Sequence, residues 1–296
     1  MQVFTLPEPH PVEKNLADLL SRGRPGVAEW NRFPSGEHFV HVNLSSSRVC
    51  VIGRTAPPGD NFFQTALLCD TLRRNGAAEI ILALPYFAYA RQDRQHLTGD
   101  PLTAGTVSTM LAAVGVKRIV TVEIHSSKAL EASPVPIESV TMLAEMAAVL
   151  RPKLHLAPFT VVGPDHASRT RAEGLAALLG GAPIAWVEKK RTRFKGVTAH
   201  GRSGELAGTT AVFIDDVLDT GGTVAAAVAI LKKENFKEFH LAVTHPLFSK
   251  GAVPLLRKLG FSSIVVGNTI PLSADAGRLP NITIIDAAPR LAEAIL

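Results

Sequence analysis

Val212-Phe-Ile-Asp-Asp-Val-Leu-Asp-Thr-Gly-Gly-Thr223 is the stretch of sequence that decides the fold. An apolar strand is predicted to end at Ile214, and two carboxylates follow at Asp215 and Asp216. A helix is predicted to begin at Val224. Ligands of open α/β sheets bind at the carboxyl ends of the strands. The stretch therefore predicts a strand, a ligand-binding turn and a crossover helix.

The turn in this stretch has the composition of an anion-binding loop. Gly221 and Gly222 let the backbone approach a ligand closely and adopt positive φ angles. Backbone amides at the start of a helix point at an anion, and the helix dipole adds to the attraction. Thr220 and Thr223 can donate hydroxyl hydrogen bonds to phosphate oxygens. Because carboxylates repel phosphate, the preceding pair of aspartates is assigned to ribose hydroxyls, reached directly or through a metal ion. An ordinary strand-turn-helix junction with a capping aspartate is the alternative.

Short apolar runs alternate with helical patterns along the rest of the chain. Almost wholly apolar runs are typical of strands that are covered on both faces. The predicted strands are Arg48–Ile52, Ile80–Leu84, Arg118–Val122, Phe159–Val162, Ala211–Ile214, His240–Val243 and Ser263–Val266. The predicted helices are Phe62–Asn75, Thr103–Val114, Val140–Leu150, Arg169–Leu179 and Val224–Glu234. The alternation predicts an α/β fold, with parallel sheets and crossover helices.

A weak internal repeat suggests two copies of one domain. The positions that share one offset are Asp60 and Asp219, Leu72 and Leu231, and Glu79 and Glu238. Chance similarity between two amphipathic βαβ units is the alternative. A length of 296 residues suits two domains of typical size. The predicted division is residues 1–150, residues 151–281, and a segment at 282–296 that packs on the first domain.

The composition narrows the class of protein. Hydrophobic residues make up 46% of the chain and charged residues 19%, so it can bury sizeable cores. The net charge of +5 does not demand nucleic acid, because a basic pocket for small anions explains it equally well. Cys50 and Cys69 lack metal-ligand spacing and are predicted to be buried, reduced thiols. No signal segment or membrane-spanning run is present, so we expect no membrane partner and a cytoplasmic location.

The opening stretch resembles the ribose-phosphate-binding motif of the phosphoribosyltransferase fold, and further segments indicate the branch of that fold. They are Phe33-Pro-Ser-Gly-Glu37, Pro85-Tyr-Phe-Ala-Tyr-Ala-Arg-Gln-Asp-Arg94, Val162-Gly-Pro-Asp-His166, Lys189-Lys-Arg191, Thr244-His-Pro-Leu-Phe-Ser249 and Asn268-Thr-Ile-Pro-Leu272. In this order they resemble segments of ribose-phosphate diphosphokinases, also called PRPP synthetases, over nearly the whole chain. The resemblance implies two tandem phosphoribosyltransferase-like domains, each a mainly parallel sheet flanked by helices.

The resemblance also implies a reaction and its site. ATP and ribose 5-phosphate would give 5-phosphoribosyl 1-diphosphate and AMP, with Lys189 and Arg191 supplying positive charge to the transferring group. The implied ribose 5-phosphate ligands are Asp215, Asp216, Asp219, Thr220, Gly221, Gly222 and Thr223. The implied ATP ligands are Phe33, Ser35, Glu37, Arg91, Gln92, Arg94 and His125. Taken alone, the run at Lys189–Lys195 is typical of a solvated basic turn.

Magnesium and self-association complete what the resemblance implies. His125 and Asp165 match the family's metal positions, and Mg²⁺ prefers oxygen ligands, so the histidine is unusual. The alternative for His125 is a satisfied histidine at a strand end, and the alternative for Asp165 is a helix N-cap. The family's active site lies between two domains with a neighbouring subunit contributing, so we expect a homo-oligomer, either a dimer or a hexamer.

Departures from the family pattern leave alternatives open. Ser35 stands where the family has aspartate, Ala167-Ser168 replaces Gly-Gly, and Glu123-Ile-His125 replaces Asp-Leu-His. One alternative is a regulatory paralogue that binds a synthetase and lacks catalysis. Another is a salvage phosphoribosyltransferase, which uses the same loop to bind PRPP as a substrate. The length, the repeat and Pro85–Arg94 disfavour the salvage enzyme.

Overall fold

Two units make up the chain in the computed structural model. Unit 1 comprises Met1–Thr141 together with Asp286–Leu296, and unit 2 comprises Met142–Ile285. The structure describes the backbone of residues 1–22, 25–95, 97–154, 157–192 and 196–296. Side chains are described over the same ranges except at residues 189–192 and 196–200.

Unit 1 is built on a parallel sheet with the strand order β1-β4-β5-β6-β7, and β2 and β3 form a separate antiparallel hairpin. Its elements in chain order are β1 Gln2–Thr5, α1 Pro11–Ser21, β2 Ala28–Arg32, β3 His38–Val42, β4 Arg48–Ile52, α2 Gly59–Arg74, β5 Glu79–Leu84, α3 Thr103–Ala113, β6 Val116–Val122, α4 Ser127–Glu131 and β7 Ile137–Val140. Leu68 and Leu72, one helical turn apart on α2, are fully buried with Val51 and Leu82 in the core of this unit. The helix therefore covers one face of the sheet with an apolar stripe.

Unit 2 is built on a second sheet, with the strand order β10-β9-β8-β11-β12-β13-β14. Its elements are α5 Leu143–Leu150, β8 Phe159–Gly163, α6 Arg169–Leu178, β9 Ile184–Thr192, β10 Gly196–Gly204, β11 Thr210–Leu218, α7 Gly222–Lys233, β12 Glu238–Pro246, α8 Ala252–Leu259, β13 Ser263–Gly267 and β14 Ile282–Ile285. Neighbouring strands are parallel except β9 and β10, which pair antiparallel at one edge. The central strand β11 lies between β8 and β12 and is covered on both faces, which explains its apolar first half.

The chain ends in α9, Ala288–Ile295, which belongs to unit 1. Leu291 and Ile295 on this helix are buried. Arg118 of β6 donates a hydrogen bond of 2.6 Å to the carbonyl of Ala294. The last residues are thus tied to unit 1 by an apolar face and by a bond to their backbone.

The α/β fold predicted from the sequence is confirmed, and the predicted strand at Arg48–Ile52 matches β4 residue for residue. Cys50 and Cys69 are buried free thiols, and burial raises the pKa of Cys50 to about 12. No helix in the described part of the chain is both long and apolar enough to cross a membrane.

Some element boundaries predicted from the sequence are wrong. The helix predicted to begin at Val140 begins at Leu143, because Val140 ends β7 and pairs with Val122. The strand predicted to end at Ile214 continues to Leu218, because β12 runs alongside it as far as Pro246. The sequence also did not predict the edge strands or the hairpins, whose apolar runs are short or interrupted by polar residues.

The division into units differs in two places from the division at residues 150 and 281. Helix α5 packs against α6 and β13, and it lies in unit 2. Strand β14 pairs with β13 and also lies in unit 2, whereas α9 lies in unit 1. An apolar segment beside a boundary can pack on either side of it, and only tertiary contacts decide which.

Candidate active site

The loop between β11 and α7 is held by the segment that follows β12. The amide of Phe248 donates to the carbonyl of Leu218, and the amide of Ser249 donates to the carbonyl of Asp219, both at 3.0 Å. These bonds fix the backbone just ahead of the Thr220–Thr223 turn. The first helical bond of α7 runs from the Ala225 amide to the Gly221 carbonyl at 2.9 Å.

Gly221 caps α7 in the left-handed region, with a φ of +78°. A side chain at this position would be strained by the backbone, whatever the surrounding space. Gly222 does not have a positive φ, so the expectation of positive φ at both glycines is wrong for the second. Within the described part of the chain, a Cβ atom on Gly222 would meet the Thr220 Oγ1 atom at 3.7 Å. Its backbone is exposed at the first turn of the helix, where amides are available to an anion.

Asp165 and Asp215 are brought together by Ser168. Asp165 lies just beyond β8, and Asp215 lies on the neighbouring strand β11, beyond its last pairing with β8 at Phe213. The Ser168 hydroxyl is 2.9 Å from Asp165 Oδ1 and 3.0 Å from Asp215 Oδ1. Asp165 Oδ1 also accepts the amide of Ser168 at 3.1 Å, and Ser168, not Asp165, is the N-cap residue of α6.

Asp216 is buried and forms an ion pair with Arg171 of α6, at 3.3 Å between Nη2 and Oδ2. Asp215 therefore lies beside two other carboxylates and one guanidinium. Loss of solvent raises the pKa of Asp215 well above its usual range, and the neighbouring Asp216 carboxylate raises it further. A site with this surplus of negative charge favours sugar hydroxyls or a cation over a bare phosphate.

In unit 1, a hydrogen bond joins the Arg91–Arg94 segment to the loop that carries His125. The Ser126 hydroxyl donates to Asp93 Oδ2, and it also accepts the amide of Ala129 at the start of α4. The side chains of Arg91, Gln92 and Arg94 are exposed around this contact. Gln92 is oriented by the Thr103 hydroxyl at the start of α3. The structure thus places His125 near the predicted nucleotide segment, within one unit.

Phe33, Ser35 and Glu37 lie at the tip of the β2–β3 hairpin. The amide of Phe33 donates to the carbonyl of Glu37 at 2.9 Å, which closes the turn, and the Ser35 hydroxyl donates to Glu37 Oε2 at 2.6 Å. The Phe33 side chain is 55% exposed and its ring contacts that of Phe39 edge to face. The hairpin therefore presents an aromatic ring and a carboxylate to solvent.

Lys189 and Arg191 lie on the backbone of β9, paired with Ala199 and Val197 of β10. Their side chains lie outside the described residues. In the described part of the chain, no group of three or more histidine, cysteine, aspartate or glutamate side chains is arranged to hold a metal ion. The roles assigned to these two basic residues and to the metal positions His125 and Asp165 remain predictions.

Sequence reasoning missed four polar residues that organise the predicted site. They are Ser168 and Arg171 in unit 2, and Asp93 and Ser126 in unit 1. A signal for the first pair is their spacing of three residues at the start of α6, which places both on one face of a helix. Ser168 also contacts the nearby Asp165, but the carboxylates at 215 and 216 are more than forty positions away in sequence, so the spacing alone did not identify them as partners.

Comparison with known proteins identifies similar chains. A model described as the N-terminal domain of ribose phosphate pyrophosphokinase matches residues 1–115, and a model described as the phosphoribosyl transferase domain matches residues 138–260. A ribose-phosphate pyrophosphokinase from Buchnera aphidicola subsp. Acyrthosiphon pisum is 34% identical over 278 residues, covering 91% of this chain and 87% of the relative. One from Bacillus caldolyticus is 31% identical over 298 residues, covering 100% and 93%. The crystal structure of phosphoribosylpyrophosphate synthetase from Mycobacterium smegmatis matches with a TM-score of 0.88 and 29% identity, covering 99% of this chain and 97% of that one.

Proposed function

Since the chain belongs to the ribose-phosphate pyrophosphokinase family, we propose that it transfers the diphosphoryl group of ATP to the 1-hydroxyl of ribose 5-phosphate. The 1-oxygen bonds to the β-phosphorus, the bond between the β-phosphorus and the α,β-bridging oxygen breaks, and AMP leaves. The hydroxyl proton is released. The products are 5-phosphoribosyl 1-diphosphate and AMP.

The observation that carries the proposal is the arrangement around β11 in unit 2. Gly221, in the left-handed conformation, caps the start of α7 and lies in sequence between Thr220 and Thr223. Asp215 and Asp216 lie on β11, just ahead of this loop. The helix start suits the 5-phosphate, because its amides and dipole favour an anion. The carboxylates suit the ribose hydroxyls, which donate hydrogen bonds to them.

Magnesium is the cation that we propose for this reaction. Asp165 offers carboxylate oxygens, which are hard ligands of the kind Mg²⁺ takes. The neighbouring Asp215 and Asp216 carboxylates add negative charge that a cation would relieve. His125 in unit 1 is the other proposed metal residue. When bound with ATP, the cation would neutralise negative charge on the phosphates.

Positive charge at the transferring group is assigned to Lys189 and Arg191. Phosphoryl-type transfer depends on positioning and charge neutralisation, so removing one cation lowers turnover without removing a covalent step. We expect Lys189→Ala to lower kcat by about 100-fold or more, the scale of losing one electrostatic contact in a transition state. Lys190→Ala, which removes the same charge at the middle position of Lys-x-Arg, is the matched control and should retain most of the activity.

The assay is AMP release from ATP, ribose 5-phosphate and Mg²⁺ by the purified full chain. Sugar-dependent AMP formation supports the proposal. No sugar-dependent AMP, together with acceleration of a separate synthetase, would indicate a regulatory paralogue. Consumption of PRPP with a free base would indicate a salvage phosphoribosyltransferase. Near-normal kcat in Lys189→Ala would refute the role of that lysine.

Assembly into a homo-oligomer is also proposed. The tip of the β2–β3 hairpin exposes Phe33 and Phe39, which would be better removed from water in an interface between copies. A neighbouring copy would then add Phe33 and Glu37 to the nucleotide site. Light scattering of the purified chain measures its mass, and a monomer that is fully active would refute this part of the proposal.

A further inference from the structure

Ser168 occupies a position where a single hydroxyl meets two carboxylates. It is the last residue before α6 and is only 1% exposed. Its Oγ atom lies 2.9 Å from Asp165 Oδ1 and 3.0 Å from Asp215 Oδ1. The buried Ser168 hydroxyl can hydrogen-bond to either carboxylate, and its position between them limits the rotation of both.

The hydroxyl proton is available to Asp215. A serine hydroxyl carries one proton, so it donates to one acceptor at a time. Asp165 Oδ1 accepts the backbone amide of Ser168 at 3.1 Å, so it keeps a donor when the hydroxyl proton turns to Asp215. Asp215 Oδ1 accepts the amide of Asp216 at 3.0 Å, and the hydroxyl is a second donor to the same oxygen. Two donors on one oxygen fix the rotation of the carboxylate, and its other oxygen is oriented as a result.

We propose that Ser168 is a positioning residue that holds the Asp215 carboxylate in the orientation that binds the hydroxyls of ribose 5-phosphate. This inference rests on the proposed function. The Gly-Gly pattern that this segment otherwise resembles has no hydroxyl at the second position. Affinity for the sugar phosphate therefore depends in this chain on a side chain that such a pattern does not supply.

The direct test is calorimetric binding of ribose 5-phosphate to the full chain. The titration contains Mg²⁺ and α,β-methylene-ATP, whose carbon bridge prevents transfer. Ser168→Ala and Ser168→Gly should each weaken the Kd about tenfold, which corresponds to about 1.4 kcal/mol. Ser168→Thr keeps the hydroxyl and should recover most of the affinity. Thr170→Ala removes an exposed hydroxyl from the same helical turn and should leave the Kd unchanged.

Two further measurements separate positioning from a general structural role. The KM for ATP should be unchanged in Ser168→Ala while the KM for ribose 5-phosphate rises. In an Asp215→Asn background, Ser168→Ala should have little further effect on the Kd, because the group through which it acts is altered. Circular dichroism checks folding of each variant, and Ser168→Gly serves if the alanine variant does not fold.

The outcomes distinguish this inference from the proposed function. A wild-type chain that does not bind ribose 5-phosphate overturns the proposed function itself. A wild-type chain that binds it, with an unchanged Kd in Ser168→Ala and Ser168→Gly, overturns only the positioning role. Fully additive effects of Ser168→Ala and Asp215→Asn also overturn that role.

Discussion

The negative charge of Asp215 destabilises the folded state, whereas ligand binding requires it. Burial, and then the neighbouring Asp216, raise its pKa above the value in the unfolded chain. Between the unfolded and the folded pKa the folded state binds more protons, so stability falls as the pH rises through that window. The penalty is absent below the unfolded pKa and complete above the raised folded pKa. A sugar hydroxyl or a cation would bind to this same negative charge.

We therefore expect Asp215→Asn to raise the Tm in metal-free buffer while weakening ribose 5-phosphate binding. Asparagine stays uncharged, so the gain should grow from acid towards neutral pH, to about 2–4 °C for about 1 kcal/mol in a domain of this size. Asp216→Asn removes the ion-pair partner of Arg171 and should lower the Tm instead. Scanning calorimetry at several pH values measures both. A Tm difference for Asp215→Asn that shrinks with rising pH would contradict the assignment.

At the scale of elements, the two adjacent glycines at the start of α7 differ in backbone conformation. Gly221→Ala places a Cβ on a backbone with a φ of +78°, which costs about 1–2 kcal/mol. Gly222→Ala adds a Cβ that makes an ordinary van der Waals contact with Thr220 on a helical residue, and should leave the Tm unchanged or slightly higher. Thermal unfolding of the two variants side by side measures the difference. Equal Tm values would show that the loop relaxes out of the left-handed conformation.

Elements differ in how far the sequence predicts them. β4 and β8 are mostly apolar runs rich in valine, so the local pattern is sufficient to predict them. β7 is half polar, and its pairing with β6 is a tertiary contact that no local pattern predicts. The same limit applies to the site. The glycines and threonines of the loop are contiguous, whereas Ser168 meets Asp215 across 47 positions in the chain.

At the scale of the whole molecule, the chain passes from unit 1 through unit 2 and returns to unit 1 in its last helix. Each unit has its own hydrophobic core. The chain therefore connects the two units covalently twice, once on entering unit 2 and once on returning to unit 1. Folding of unit 1 therefore includes residues from both ends of the chain. It follows that unit 1 cannot complete its packing until the last residues, including Leu291 and Ile295, are available.

Leu291→Ala tests this dependence, because Leu291 is fully buried in α9. We expect unit 1 to lose about 2–5 kcal/mol, the usual range for removing a buried leucine side chain. The control is Leu296→Ala, the same substitution at a residue that is 80% exposed, which should have no effect. The readout is the reaction of Cys50 and Cys69 with a thiol reagent, since both are buried in unit 1 and react only when it opens. Leu291→Ala should react faster by orders of magnitude under native conditions. Equal rates in the two leucine variants would show that α9 is not needed to close unit 1.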